Sequence, residues 1–502
     1  MEALPILVGW AINNLSPYRI INVLGLAPIL YNFHPTVREL GPRLSQNASI
    51  VLSSAPEFAN ITSRWQAHWA APETTISVKV ATESDIQETI KFANKHNRTF
   101  LAISGGHGAI RSLGSVKDGI LIDMRRMNSM SLSDDGKSVT IGGAAKIKKV
   151  VGDLWLAGKE TTTGICECVG MSAPMLGGGH GLNQGKYGLA ADQVIEARLV
   201  LPNGTAVTAS ETSNPYLFWA IRGAGHNFGI VTEFKSKVYD VKPKTTWAFN
   251  FFFFSEDKLE ALFTQANEMM KTQQSNLVHW TYMTKLPFDP IHPTILYMVF
   301  YEGPLSELQE YSAPIRDLGP MHVETGELPM PALASVTYMG EEDISCAKGM
   351  TGMRFPLGMT QFDIVALRKL YDHFDQTMQQ IPAFNGSFFL LEMYSTQAVK
   401  AVPEESTAFP HREDNLLVTP FVNYAPDPKM DVMAEEFGSA MRDILLAGTE
   451  EPDKLKAYVN YAHGDETLEA IYGWDKWRID KLRSLKKEFD PEKRLMAYAP
   501  IL

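Results

Sequence analysis

Residues 100–108 read FLAISGGHG, an apolar run of strand character that opens into three glycines with His107 set among them. A surface turn that merely contains a histidine would look the same, so the flanking sequence has to decide. Upstream, TISVKVA (75–81) alternates as a strand. SDIQETIKFANKH (84–96) follows as a helix, with Ser84 and Gln87 as a capping box and Ile86, Ile90 and Ala93 on one face. Downstream, GILIDM (119–124) and SVTIGG (138–143) read as strands, and KIKKVVGDLWLAG (146–158) as a helix closed by Gly158. ARLVLPNGTAVTAS (197–210) is a hairpin in which Asn203 and Gly204 are expected to supply positive φ angles. Up to about residue 240 the pattern is an α+β unit.

Beyond it the composition shifts. TTWAFNFFFF (245–254) is an apolar strand, SEDKLEALFTQANEMMKTQQ (255–274) a helix, and HWTYMTK (279–285) and TILYMVFYEG (294–303) are strands, a pattern of a sheet covered by helices. The stretch from Gly319 to Pro331 reads as a loop, and DKWRIDKLRSLKKEF (475–489) as a final helix stopped by Asp490-Pro491. The 502 residues exceed one ordinary core, and the net charge of −11 with no basic cluster argues against a nucleic-acid partner. A small-molecule substrate is the better expectation.

Three cysteines, Cys166, Cys168 and Cys346, are too few and odd in number for a disulfide framework. Cys166 and Cys168 are too close in sequence to pair without strain, and no neighbouring cluster suggests a metal site, so no metal is expected. Residues 1–35 form an apolar segment, a candidate signal or membrane-associated stretch in which Glu2 stands where a basic residue belongs. Six N-x-S/T sequons, at Asn14, Asn47, Asn60, Asn97, Asn203 and Asn385, favour a secretory or vesicle-associated compartment over the cytoplasm.

Four glycine-rich stretches fall between residues 104 and 229: SGGHG (104–108), GICECVG (164–170), GGGHG (177–181) and RGAGHNFG (222–229). Glycine lets backbone amides close on a ligand, and such nests hold a pyrophosphate without cationic side chains of their own. Neither a P-loop nor a G-x-G-x-x-G turn is present.

The order of these motifs, continued by STAFPHR (406–412), YVNY (458–461) and KKEFDPEKRL (486–495), closely resembles the berberine-bridge-enzyme-like FAD-linked oxidoreductases of the p-cresol methylhydroxylase / vanillyl-alcohol oxidase fold, in particular fungal members of secondary metabolism. The resemblance covers about residues 35–502. It implies a two-part FAD-binding domain of the p-cresol methylhydroxylase type (36–240), a substrate domain with an antiparallel sheet covered by helices (241–440), and a C-terminal segment (441–502) that returns to the FAD domain. It also implies FAD bound covalently through His107 at the flavin 8α carbon, with Cys166 as a second attachment at C6. Glu167, which replaces the proline of relatives, is expected to raise the Cys166 pKa and oppose that second bond. Ser104, Gly105, Gly106, Gly108, Val169, Gly170, Gly177, Ile230, Val231 and Asn460 match the cofactor-lining positions, while His180, His226 and His411 read as structural.

Flavin oxidation needs a base for the paired proton. Sugar-oxidising relatives point to Tyr461 or Tyr458. Alkaloid-cyclising relatives place a glutamate where NGSFFLLEMYS (385–395) has Leu390, and Glu392 lies on the same strand face, as does Tyr394. Trp474 and Trp477 fit either the core or a narrowed pocket. The expected activity is oxidation of a hydrophobic natural-product intermediate by hydride transfer to flavin N5, with O2 as acceptor and H2O2 as product. Alternatives are a carbohydrate oxidase and a cyclase, oxidative or non-redox, built on the same scaffold. A flavin-free binding protein is the remote third class. No sequence feature indicates a protein partner.

Overall fold

The computed structural model describes residues 34–66 and 68–502. The apolar segment before residue 34 and the Asn14 sequon lie outside the described residues.

The strand that ends at His107's loop, Phe100–Ile103, lies at the edge of a four-stranded sheet. Its order is Ser49–Leu52, Thr74–Lys79, Gly119–Asp123, Phe100–Ile103. The last three strands run parallel and the first antiparallel. Gly119–Asp123 is buried along its whole length, as a central parallel strand must be. The helix after Thr74–Lys79 spans Glu83–Lys95, and its cap differs from expectation. Thr82, not Ser84, accepts from the Asp85 amide, and Asp85, not Gln87, reaches back to the Thr82 amide. Asp85 also accepts from the Ser45 amide and hydroxyl, a second set of donors that fixes this register.

A five-stranded antiparallel sheet follows, in the order Met130–Leu132, Ser138–Gly142, Ile230–Lys237, Val194–Val200, Ala206–Ser210. The hairpin between its last two strands turns with positive φ at Gly204 alone (+83°) and not at Asn203. Pro202 fixes a negative φ at the turn's start, which favours a one-glycine bulge over a two-residue turn.

The substrate-side sheet has eight strands. Seven lie in the order His322–Leu328, Trp247–Phe254, Asp289–Glu302, Leu277–Leu286, Phe388–Tyr394, Leu416–Tyr424, Thr351–Arg354, and Leu357–Met359 also pairs with Leu416–Tyr424. All pairings are antiparallel. The first strand corrects the loop expected between Gly319 and Pro331: His322–Leu328 pairs by its backbone with Trp247–Phe254.

Every residue of Trp247–Phe254 is buried. Alternation sends Ala248, Phe252 and Phe254 to a core shared with the helices Leu259–Met270, Ile364–Gln380 and Pro428–Leu446. Trp247, Phe249, Phe251 and Phe253 join a second core on the opposite face, with Trp280 and Tyr394. The C-terminal residues Ala457, Val459, Ile471, Leu482 and Ile501 share a core with residues of the five-stranded sheet such as Ile141 and Leu199. Trp474 and Trp477 take neither of their expected places: both are surface residues, 42% and 43% exposed.

Candidate active site

In the loop from Ser104 to Ile110 most carbonyls are taken by neighbouring donors. The Gly106 carbonyl accepts from the Trp65 amide. Three arginines from other segments take further carbonyls: Arg125 Nε donates to Ser104 O (3.3 Å), Arg354 Nη2 to His107 O (3.3 Å) and Arg64 Nη2 to Gly108 O (3.2 Å). Among the described residues the amides of Gly105 to Ile110 find no acceptor, although Gly106, Ala109 and Ile110 are buried. Buried amides are nearly always paired, so this run calls for a ligand that accepts hydrogen bonds. Neither Arg64 nor Arg354 has a carboxylate partner among the described residues, and Arg354 is 4% exposed. A cradle of free amides backed by unneutralised guanidiniums fits the pyrophosphate of a dinucleotide.

Gly105 is held where a side chain cannot go. A Cβ there would stand 2.4 Å from the Cys168 carbonyl and 2.8 Å from the Gly170 amide. Loops 104–108 and 164–170 therefore close on each other, Ser104 lying on Gly170, while Gly177 lies against Asn460 and Gly108 against the Tyr498 ring. Val169 takes part through its backbone, its carbonyl accepting from the Ile147 amide. Ile230 and Val231 start a central strand, bury their side chains in two separate cores and pair by their backbone with Val200 and Leu199.

His107 stacks on Trp65 (5.1 Å between centroids, 20° between planes). Its Nε2 lies 3.0 Å from the Ser345 carbonyl, and its Nδ1 lies 3.4 Å from Arg354 Nη2. A carbonyl can only accept, so Nε2 carries the proton and Nδ1 the lone pair. Burial first, then the Arg354 charge, hold the imidazole down to a pKa of about 4, leaving it neutral at physiological pH.

The cysteines correct the sequence reading. Cys168 and Cys346, 178 residues apart, form a disulfide, and Cys166 is the free thiol. Ring nitrogen and sulfur atoms of His107, Cys166 and Cys168 do come within 4.8 Å of one another, but the disulfide takes Cys168 out of any ligand set. Burial pushes the Cys166 thiol up to about 11. Glu167 adds to this as expected, yet as the smallest of the contributions, because its carboxylate is held by Lys148 (3.2 Å) and the Glu341 amide (2.9 Å).

Across from the loops stands one face of the substrate sheet. In Phe388–Tyr394, Phe389, Leu391 and Met393 enter the helix-side core, which turns Leu390, Glu392 and Tyr394 the other way. Glu392 is 3% exposed, lies between Trp280 and Leu417 on the neighbouring strands, and accepts from the Tyr394 hydroxyl at 2.6 Å. Its second oxygen, Oε2, is buried without a hydrogen-bond partner. Burial raises its pKa to about 7, partly offset by Tyr394 and Tyr461. Tyr461 packs against Tyr458 (5.2 Å) and under the Arg354 guanidinium (5.6 Å).

Of the expected bases, Tyr458 is turned elsewhere: its oxygen accepts from the Gly179 amide (3.1 Å), the His180 amide (3.4 Å) and Asn460 Nδ2 (2.6 Å). Burial pushes both Tyr458 and Tyr461 far above neutral. Glu392 is the group whose pKa falls where a base is useful. His180, His226 and His411 are all half-buried, and desolvation lowers the pKa of each. Sequence reasoning missed Arg354, Arg64, Trp65 and Ser345. The one local signal was Arg354 itself, a lone cation in the apolar run 351–359.

An FAD binding domain family matches residues 74–210. The chain is 39% identical over 470 residues to the FAD-linked oxidoreductase chyH of Penicillium rubens, covering 92% of this chain and 93% of that one. It is also 39% identical over 482 residues to the FAD-linked oxidoreductase chry5 of Gibberella zeae, at 92% and 94% coverage. In fold it is similar to the glucooligosaccharide oxidase of Acremonium strictum, with a TM-score of 0.81 at 18% identity, covering 94% of this chain and 99% of that one. With the amide cradle, the motif order and these relatives in agreement, the chain belongs to the FAD-linked oxidoreductases and has the fold of berberine-bridge-enzyme-like proteins.

Proposed function

We propose that the enzyme oxidises a hydrophobic natural-product intermediate, with Glu392 as the base and O2 as the electron acceptor, releasing H2O2. Bound FAD supplies the hydride acceptor at N5. The observation that carries this reading is the open Oε2 of a buried carboxylate whose pKa stands at about 7, aimed from the sheet face opposite the cradle. Trp280, Leu390 and Leu417 around Glu392 are 2%, 5% and 6% exposed and offer a substrate mostly apolar contact. That lining favours a polycyclic or polyketide-like molecule over a sugar. Glu392 takes the proton that leaves with the hydride, Tyr394 keeps its other oxygen fixed, and Tyr461 caps the same end of the site. Peroxide release during turnover, screened over aromatic alcohols, oligosaccharides and polyketide-like intermediates, tests the assignment. Turnover without peroxide or any other reduced acceptor would favour a cyclase.

On this reading His107 carries the flavin through Nδ1, the nitrogen with the lone pair, and Cys166 forms the second bond. The second bond depends on the thiolate, which is scarce at neutral pH for a thiol held near 11. Attachment through Cys166 is therefore expected to speed up about tenfold for each unit by which the pH is raised towards that value. Peptide mass mapping of flavin-loaded protein matured at pH 7 and pH 9 checks this, and an unchanged ratio of doubly to singly attached flavin would refute it.

We also propose passage through the secretory pathway. Asn47, Asn60, Asn97, Asn203 and Asn385 are all exposed, and a disulfide is present. Among the described residues no helix is long and apolar enough to cross a membrane. Protein from its native host should lose mass on treatment with an N-glycosidase.

A further inference from the structure

The grip on His107 comes from a distant part of the chain. The carbonyl on its Nε2 belongs to Ser345, 238 residues away. Ser345 sits in a single turn, Ile344–Cys346, on a surface segment where Ile344 is 81% exposed. The hydrogen bonds inside this turn are local: the Cys346 amide donates to Asp343 O, and the Ala347 amide to Ile344 O. Among the described residues, 344–349 are bonded to the rest of the molecule through the Ser345 carbonyl and the adjacent Cys168–Cys346 disulfide. The Cys166 thiol leans on that disulfide at 3.7 Å from each sulfur, beside the bond and favouring neither end.

We infer that the Cys168–Cys346 disulfide positions His107 for flavin attachment: it pins the Ser345 carbonyl on Nε2, and opening it slows bond formation at Nδ1 without releasing FAD. The inference rests on the proposed attachment at His107. When Nδ1 bonds to the 8α carbon, a C–H bond of that methyl group breaks and its proton leaves. Two electrons stay on the flavin until dioxygen takes them. Positive charge grows on the imidazole as the bond forms, and the Nε2–H···O=C contact becomes charge-assisted. Arg354 at 3.4 Å opposes that charge, and Trp65 offers only a ring face, so the Ser345 oxygen is the one acceptor placed to stabilise it. A carboxylate behind a catalytic histidine fixes the tautomer in the same way.

The test uses full-length Cys166→Ser protein, in which His107 is the one remaining attachment point, produced without flavin and then supplied with FAD. One sample is oxidised. A second is treated with dithiothreitol, which gives two electrons and two protons to the disulfide and becomes a cyclic disulfide itself. A third also carries Cys168→Ser and Cys346→Ser. Quenching of flavin fluorescence reads binding, and flavin left on the acid-precipitated chain reads attachment. All three should bind FAD equally, with attachment roughly tenfold slower in the second and third, as loss of one hydrogen bond to a charged group predicts. Glutathione disulfide should restore the rate in the second sample and not in the third. Equal attachment rates would overturn the inference and leave His107 as the attachment site. Loss of FAD binding together with attachment would overturn it too, by making the disulfide a general support of the fold. If the oxidised protein binds FAD and never attaches it, the His107 reading itself fails and the inference falls with it.

Discussion

Glu392→Gln is expected to lower turnover by about 10²–10⁴-fold while flavin content stays unchanged, the usual cost of removing a positioned base. In the parent enzyme turnover should rise with pH through about 7, as the buried carboxyl loses its proton, and then level off. In the variant that limb should vanish. The same group predicts an effect on stability of opposite sign. Its pKa in the folded protein lies above that of an exposed glutamate, so the folded state binds the proton more tightly than the unfolded one. Stability is then lost as pH rises from about 4.5 to about 7, by up to about 3 kcal/mol. Glutamine keeps an oxygen for the Tyr394 hydroxyl and carries no charge, so the variant should melt higher than the parent at pH 8 and alike at pH 4. A variant that retains parental turnover, or its pH limb near 7, would remove Glu392 from the mechanism.

His107→Ala is the second large effect. All acid-stable flavin should disappear when Cys166→Ser is combined with it, and His107→Ala alone should leave a single attachment through sulfur. The amide cradle and the arginines behind it are untouched, so FAD should still bind. A nitrogen substituent on the 8α carbon withdraws electrons, and its loss makes the flavin a weaker oxidant. Each 30 mV or so of lost potential costs about tenfold in the two-electron equilibrium. Spectroscopic titration of the bound flavin in parent and variant reads the shift directly. Acid-stable flavin surviving in the double variant would place the attachment at another residue.

The readable parts of this protein were those written in local pattern. Apolar runs and alternation located half of the strands of the substrate sheet, and the glycine loops with His107 located the cradle. The edge strand His322–Leu328 escaped because its residues are all partly or fully exposed with little apolar content, and it is held by backbone pairing to Trp247–Phe254. The helix cap moved to Thr82 because Ser45, distant in sequence, supplies extra donors to Asp85. The disulfide joins residues 178 apart, a relation that no spacing rule can reveal. The glycine loops were read as self-sufficient, yet their carbonyls are turned outward by Arg64, Arg125 and Arg354, which come from three other places in the chain. Glu392 and Tyr461 were legible as candidates. That the carboxyl, and not a tyrosine, titrates near neutrality followed only from burial.

The strand Phe388–Tyr394 divides its duties residue by residue. Phe389, Leu391 and Met393 hold the helix-side core, while Leu390, Glu392 and Tyr394 turn to the opposite face, where the proposed substrate would bind. A sheet built this way lets selection rewrite chemistry on alternate positions and leave folding to the ones between. Variation at Leu390, with its neighbours Tyr282 and Thr419 on the adjoining strands, can retune what the enzyme accepts at little expense to its foundations. The same arithmetic offers a compact library for redirecting it: three strands, alternate residues, one fixed carboxylate.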